Sequence, residues 1–219
     1  MTDGILLLDK PAGMTSFGVV ARVRRVLSQR AGKKVKVGHT GTLDPFATGL
    51  MILVVGKETK NAMSLTKLDK VYEATVVLGQ TSSTGDTEGA LTAVNSYQPS
   101  RIEVDKVASS FVGEITQTPP IFSAIKVGGV RAYKLAHKGE TVEIPTRQVQ
   151  IFSLDVIDYT YPELKIRAHV SSGTYIRTLA KDMGEALGTG GYCRELRRTA
   201  IASHTLAEAV TLDSFGITS

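Results

Sequence analysis

An aspartate on a glycine-rich stretch is the strongest candidate for chemistry in this sequence. Asp44 lies within residues 38–49, which read Gly-His-Thr-Gly-Thr-Leu-Asp-Pro-Phe-Ala-Thr-Gly. The glycines leave room for a bulky group to approach the backbone, and Pro45 biases Asp44 toward an extended or turn conformation. The apolar run 50–55 that follows is typical of a buried strand. This context would hold a carboxylate still, although an isolated Asp-Pro pair is more often an ordinary turn.

The stretch resembles the catalytic loop of the TruB family of tRNA pseudouridine synthases. That family's pattern is Gly-His-x-Gly-x-Leu-Asp-Pro-x-Ala-x-Gly, and all eight specified positions match here. Three further segments resemble family motifs in the same order along the chain: Leu78-Gly79 with Ser82, Thr84 and Asp86; Gly173-Thr174-Tyr175-Ile176-Arg177; and Leu196-Arg197-Arg198-Thr199. The resemblance extends from about Gly4 to Leu212.

The resemblance implies an isomerase that converts uridine 55 in the T-loop of tRNA to pseudouridine. The base is detached from C1′, turned and rejoined through C5, so no cofactor or metal is expected. Asp44 would be the nucleophile, since a carboxylate can add and leave at neutral pH. Attack at C1′, attack at C6 and assistance in losing a C2′ proton all stay open. Arg177 would hold the Asp44 carboxylate, and Tyr72 would stack on the uracil and relay or accept the C5 proton.

Three more residues are assigned to substrate binding from the same resemblance. His39 is expected to contact the RNA and to fill the stack that the target nucleotide leaves when it flips out, a step that costs a few kcal/mol. Leu196 matches the apolar residue that packs against the target base. Lys10 belongs to a Lys-Pro pair in a first motif, and it is expected to support the active-site loop from beneath or to act directly.

A basic segment, residues 22–36, precedes the Asp44 stretch. Seven positive side chains fall within these fifteen residues, with no acid among them: Arg22, Arg24, Arg25, Arg30, Lys33, Lys34 and Lys36. Phosphate contacts need positive charge more than fixed geometry. The segment is therefore predicted to bind the tRNA backbone, the alternative being a solvated helix face and surface loop.

Composition narrows the class of protein. The net charge of +5 and the pI of about 9.3 make an anionic partner plausible. The single cysteine, Cys193, excludes an internal disulfide, and the four histidines form no cluster with it, so a reducing compartment and no structural zinc are expected. The sequence lacks a signal-peptide pattern and an apolar run of about 20 residues. We expect a cytoplasmic monomer without a membrane association.

Hydrophobic periodicity indicates the elements that position these residues. It predicts a buried strand at 4–11, a helix capped by Thr15 or Ser16, and strands at 50–56 and 71–79. A capping box at Ser100 and Glu103 predicts the start of another helix, followed by strands at 146–158 and 164–171 and a helix that begins near residue 173. The resemblance implies an α+β fold: a mixed, largely antiparallel central sheet flanked by helices and loops around one catalytic cleft.

We expect one catalytic domain spanning residues 1–219, which binds the T-arm stem-loop of tRNA. Family members commonly continue past the segment Val210-Thr211-Leu212 into a small RNA-binding domain of the PUA type, whereas this sequence stops at Ser219. It is either a short form without that domain or a truncated one. Two alternatives stay open: an RNA-binding module that assists tRNA folding without catalysis, and a pseudouridine synthase for another RNA, including one guided by RNA as in dyskerin-type relatives.

Overall fold

The computed structural model describes residues 2–123, 125–128, 130–132 and 144–217. The strands, in chain order, are β1 (Gly4–Lys10), β2 (Val37–His39), β3 (Thr48–Val55), β4 (Lys70–Leu78), β5 (Gln80–Ser82), β6 (Leu91–Ala93), β7 (Gly113–Gln117), β8 (Lys126–Val127), β9 (Val130–Arg131), β10 (Arg147–Thr160), β11 (Glu163–Val170), β12 (Gly191–Ile201) and β13 (His204–Thr205). The helices are α1 (Ser16–Ala31), α2 (Ala62–Thr66), α3 (Arg101–Ser110) and α4 (Ile176–Ala186), with 3-10 turns at Gly56–Asn61, Leu206–Glu208 and Asp213–Phe215.

The chain forms two compact units. The first comprises Met1–Tyr72 and Arg197–Ser219, and the second comprises Glu73–Leu196. The chain passes from one unit to the other within β4 and again within β12.

In the first unit, β3 is the strand around which the others pair. It runs antiparallel to β1, from Gly4 opposite Val55 to Lys10 opposite Gly49, and antiparallel to β2. Its first residues pair in parallel with the end of β12. Leu50, Ile52 and Ile201 form a core on these strands. The unit is thus a mixed sheet built on one buried apolar strand.

Helix α1 begins and ends on local signals. The Thr15 hydroxyl accepts a hydrogen bond from the Gly18 amide at 3.0 Å, and Gly32 ends the helix in the left-handed conformation with φ of 64°. Val19, Val23 and Leu27 lie on the buried face. The predicted helix is therefore confirmed, with Thr15 as its cap.

In the second unit, the long strand β10 pairs antiparallel with β11 and with β7. The even-numbered residues of β11 are buried, as their alternation predicts: Leu164, Ile166, Ala168 and Val170. The capping box of α3 is present, since Ser100 accepts from the Glu103 amide while the Glu103 carboxylate accepts from the Ser100 amide. The predicted α+β class with a largely antiparallel sheet is confirmed.

Strand β12 is the main element that sequence reasoning did not predict. Its middle is rich in charge, with Arg194, Glu195, Arg197 and Arg198 around a single leucine. That composition masks the strand alternation, in which Leu196 and Arg198 are buried while Glu195 is exposed. Among the described residues, no helix has the length and apolar character that a membrane span requires.

Candidate active site

The stretch that carries Asp44 is anchored immediately before the aspartate. The Ser16 hydroxyl, which is buried at the start of α1, donates to the Leu43 carbonyl and accepts from the Leu43 amide, both at 2.8 Å. Asp44 itself is half-buried, and its carbonyl accepts from the Ala47 amide at 3.2 Å. These hydrogen bonds fix the position of the Asp44 Cα before any substrate binds. Less conformational entropy is then lost on binding.

Lys10 anchors the same stretch on the other side of the aspartate. Its side chain is fully buried, and Nζ donates to the carbonyls of Pro11 at 2.8 Å, Met14 at 2.7 Å and Pro45 at 3.2 Å. The Pro45 carbonyl also accepts from the Gly13 amide at 2.8 Å. An ammonium has three donors, and here they join the segment before α1 to the Asp44 stretch. The supporting role expected of Lys10 stays a prediction.

The last glycine of the stretch is required by a close approach of two strands. Gly49 has a φ of +108°, and a Cβ on this residue would lie 2.3 Å from the carbonyl oxygen of Arg198. Gly49 and Arg198 are partners in the parallel pairing of β3 with β12. A side chain here would push β12 away, so the motif glycine serves packing as well as backbone conformation.

Tyr72 contacts a buried arginine to which sequence reasoning assigned no role. The Arg198 side chain is 1% exposed. Its Nη1 lies 3.5 Å from the Tyr72 hydroxyl, its Nε donates to the Leu50 carbonyl at 2.7 Å, and its Nη2 donates to the Gly41 carbonyl at 3.1 Å. One guanidinium thus joins the Tyr72 side chain to the glycine-rich stretch. The sequence signal that could have indicated its burial is its spacing of two residues from Leu196, which places both side chains on the same face of a strand.

Lys70 is a second buried cation beside Tyr72. Its Nζ donates to the Thr66 carbonyl at 2.7 Å and to the Leu68 carbonyl. Burial, together with the positive charge of Arg198, lowers the pKa of Lys70 to about 8. The two cations repel each other, which disfavours the charged form of Lys70.

The structure places the two remaining predicted substrate contacts on strands. His39 is the last residue of β2, half-buried, and its backbone is paired with Leu53 of β3. Leu196 lies on β12 and is 8% exposed. Leu196 belongs to the second unit, whereas Lys10, His39, Asp44, Tyr72 and the basic segment belong to the first.

Arg177 belongs to the second unit, where it is bound by a buried carboxylate. Its Nη1 donates to Asp86 Oδ2 at 2.8 Å and to the Thr84 carbonyl at 2.9 Å, and its Nη2 donates to the Phe122 carbonyl at 2.7 Å. Asp86 also accepts from the Thr84 hydroxyl at 2.5 Å and from the Glu88 amide at 3.0 Å. The motif that ends at Asp86 therefore orients Arg177, a role that the sequence did not reveal. The pairing of Arg177 with Asp44 stays a prediction.

The basic segment forms an open groove on the outer side of α1. The groove has a volume of about 530 Å³ and is lined by Ala21, Arg22, Arg24, Arg25, Ser28 and Lys34. Arg30 lies elsewhere, with its guanidinium 5.6 Å from the centre of the Phe215 ring and Nη2 donating to the Phe215 carbonyl at 3.3 Å. Lys33 and Lys36 are exposed. Four cations line this groove, and their binding to RNA stays a prediction. Among the described residues, His, Cys, Asp and Glu side chains form no group that could hold a metal ion.

Comparison with known proteins gives matches along nearly the whole chain. Residues 24–176 match the family model of the TruB family pseudouridylate synthase N-terminal domain, and residues 177–216 match that of the tRNA pseudouridylate synthase B C-terminal domain. A tRNA pseudouridine synthase B from Opitutus terrae is 44% identical over 97% of this chain and 86% of its own length. The enzyme of that name from Cupriavidus pinatubonensis is 46% identical over 96% of this chain and 66% of its own length.

Solved structures agree with these matches. The chain superposes on a crystal structure of a Cbf5-Nop10-Gar1 complex with a TM-score of 0.75 and 29% identity, over 97% of this chain and 53% of that one. The structure of an H/ACA RNP bound to a substrate RNA containing 2′-deoxyuridine gives a TM-score of 0.72 and 27% identity, over 97% of this chain and 52% of that one. Family models, sequence relatives and fold thus agree: the chain belongs to the TruB family of pseudouridine synthases.

Proposed function

We propose that this protein is a tRNA pseudouridine synthase that isomerises uridine 55 in the T-loop, with Asp44 as the nucleophile. The observation that carries the proposal is the Asp44 stretch, in which every specified position of the family motif is present and the backbone is fixed on both sides of the aspartate by Ser16 and Lys10. The name of the relatives, tRNA pseudouridine synthase B, supports the substrate.

The proposed chemistry needs a nucleophile that is oriented before the substrate binds. Asp44 provides a carboxylate whose backbone neighbours are already hydrogen-bonded, so little conformational entropy remains to be lost. A carboxylate can form a covalent adduct and leave again at neutral pH. Arg177 is proposed to orient this carboxylate, and that assignment rests on its motif.

The target base is proposed to leave the RNA stack before it reacts. Tyr72 offers an aromatic face for the uracil and a hydroxyl that could relay or accept the C5 proton. Leu196 is proposed to pack against the same base, and His39 to occupy the vacated position in the RNA. The detached base needs a dry, confined place, and the buried Tyr72 side chain would help to exclude water from it.

The basic groove on α1 is proposed to bind phosphates of the T-arm stem. Arg22, Arg24, Arg25 and Lys34 place four cations around one depression, an arrangement suited to the closely spaced charges of an RNA backbone. Because tRNA is an intracellular substrate, we also propose a cytoplasmic location, and we keep the expectation that the protein acts as a monomer.

The test is to incubate the purified protein with an unmodified tRNA transcript, without any cofactor, and to quantify and locate pseudouridine. We expect product at position 55 in full tRNA and in an isolated T-arm stem-loop. The matched control is Asp44→Asn, which is nearly isosteric and should give no product while its tRNA affinity stays within about tenfold of that of the wild type, about 1.4 kcal/mol.

The alternatives predict other results. An RNA-folding protein would bind tRNA and yield no pseudouridine, and Asp44→Asn would then behave like the wild type. A synthase for another RNA would leave the tRNA transcript unmodified and modify other RNAs from the same cell. Product from Asp44→Asn would remove Asp44 from the nucleophile role.

A further inference from the structure

The guanidinium of Arg198 is buried and hydrogen-bonded, whereas most arginine side chains in proteins extend to solvent. The side chain is 1% exposed, and each of its three nitrogens has its own partner. Nε donates to the Leu50 carbonyl, Nη2 to the Gly41 carbonyl and Nη1 to the Tyr72 hydroxyl, at 2.7, 3.1 and 3.5 Å. Leu50 and Gly41 lie on either side of Asp44 in the sequence, so the arginine spans the stretch that carries it.

The contact with Tyr72 constrains the direction of its hydroxyl hydrogen. A guanidinium only donates hydrogen bonds, so the hydrogen between the two groups belongs to Arg198. The phenol's own hydrogen must then point elsewhere. The guanidinium carbon is 6.0 Å from the Tyr72 ring centre, whereas Nη1 is 3.5 Å from the hydroxyl oxygen. Arg198 therefore contacts Tyr72 mainly through that oxygen.

We propose that Arg198 is a positioning residue that sets the orientation of the Tyr72 hydroxyl relative to the Asp44 stretch. This inference rests on the proposed function, since it assigns how one of its groups is held. Because the Arg198 hydrogen bond occupies one side of the phenolic oxygen, the hydroxyl hydrogen and the remaining lone pair are directed to the other side. The two backbone bonds keep the guanidinium from following a displaced tyrosine.

A double-mutant cycle tests this assignment. Arg198→Gln and Arg198→Lys are made in the wild type and in a Tyr72→Phe background, and single-turnover rates and tRNA affinity are measured for each. We expect Arg198→Gln to slow turnover by about 10- to 100-fold with affinity within about threefold, and Arg198→Lys to recover part of the rate. In the Tyr72→Phe background, the same Arg198→Gln change should cost less than about threefold.

The neighbouring arginine on β12 provides the matched control. Arg197 pairs with Asp9 at 2.6 Å and its side chain is 43% exposed, so Arg197→Gln should turn over at close to the wild-type rate. Equal losses from Arg198→Gln with and without the Tyr72 hydroxyl would overturn the proposal, because the arginine would then act by a route that does not involve that oxygen.

A measurement without RNA separates this inference from the proposed function. In protein labelled with ¹³C at tyrosine Cζ, the Tyr72 resonance is identified by its loss in Tyr72→Phe. Arg198→Lys should move that resonance and Arg197→Gln should leave it in place. An unmoved resonance would refute the contact, whatever the activity. Failure of the wild type to form pseudouridine would instead refute the proposed function, and the spectrum would still decide whether Arg198 holds the hydroxyl.

Discussion

The hydroxyl of Ser16 hydrogen-bonds both backbone groups of Leu43, donating to the carbonyl and accepting from the amide at 2.8 Å each. Ser16 is the first residue of α1, and Leu43 directly precedes Asp44. The start of a helix thereby determines where the proposed nucleophile begins. Leu43 is itself 3% exposed, so its polar groups depend on this hydroxyl instead of on solvent.

Replacement of Ser16 by alanine should therefore weaken both stability and turnover. Two buried backbone groups would be left without their partner, and we expect a loss of about 1–3 kcal/mol in the free energy of unfolding. Chemical denaturation measures this loss, and turnover should fall by about tenfold because the Asp44 stretch loses one of its two anchors. Ser64→Ala, which removes an exposed hydroxyl bonded to the Asn61 carbonyl, should change neither quantity measurably.

Variants at Tyr72 should separate stacking from proton transfer. Tyr72→Phe keeps the ring and should bind tRNA normally while most of the turnover disappears, whereas Tyr72→Leu should reduce affinity as well, because base stacking contributes about 1–3 kcal/mol. Affinity and single-turnover rate are measured for both. Tyr97→Phe is the control, since the Tyr97 hydroxyl contacts the exposed Glu103 at 2.5 Å. A Tyr72→Phe enzyme with the wild-type rate would exclude a role for the hydroxyl.

Removal of the Asp86 carboxylate should destabilise the second unit strongly. Asp86 and Arg177 form an ion pair of 2.8 Å with side chains 2% and 4% exposed. Asp86→Ala would remove the 2.8 Å carboxylate partner of a buried guanidinium, and we expect a loss of about 3–5 kcal/mol in unfolding free energy. Asp105→Ala is the control, because the Arg101–Asp105 pair is about half exposed and should contribute less than about 0.5 kcal/mol. If both variants lost less than about 0.5 kcal/mol in unfolding free energy, the buried pair would not stabilise the second unit as expected.

Neutralising the groove on α1 should flatten the salt dependence of tRNA binding. Removing one cation that binds a phosphate should reduce the slope of log K against log salt by about 0.7–0.9. The triple variant of Arg22, Arg25 and Lys34 to glutamine should therefore reduce it by about 2–3. The matched triple variant replaces three exposed lysines outside the groove, Lys57, Lys60 and Lys67. Equal effects of the two triple variants would mean that total charge, and not the groove, governs binding.

The carboxyl of Asp182 should make stability depend on pH. Burial raises the pKa of Asp182 from 3.8 to about 6, with Lys181 opposing the increase and Glu185 adding to it. Between these two values the folded state holds the proton more tightly than the unfolded state, so ionisation costs stability as the pH rises. We expect Asp182→Asn to match the wild type at about pH 4 and to be more stable by about 1 kcal/mol at about pH 8, after allowance for solvent screening. Urea denaturation at both pH values measures this, and an equal difference at both would contradict the assignment.

Local signals in the sequence determined several elements and the position of the candidate nucleophile. The Thr15 cap and the Ser100–Glu103 capping box act over three residues, so their spacing alone predicts where α1 and α3 begin. The pattern around Asp44 is likewise contiguous. Such features depend on backbone conformation and short-range hydrogen bonds, which neighbouring residues decide.

Only the tertiary structure decided which distant side chains hydrogen-bond to the candidate site residues. Ser16 reaches Leu43 across 27 residues, Arg177 reaches Asp86 across 91, and Arg198 reaches Gly41 across 157. In the sequence, Arg198 is one of two adjacent arginines, and only strand alternation with packing against β3 makes it the buried one while Arg197 pairs with Asp9 near solvent. The physical reason is that a buried polar group must find its partners wherever the folded chain brings them, and that pairing over long separations leaves no periodic trace in the sequence.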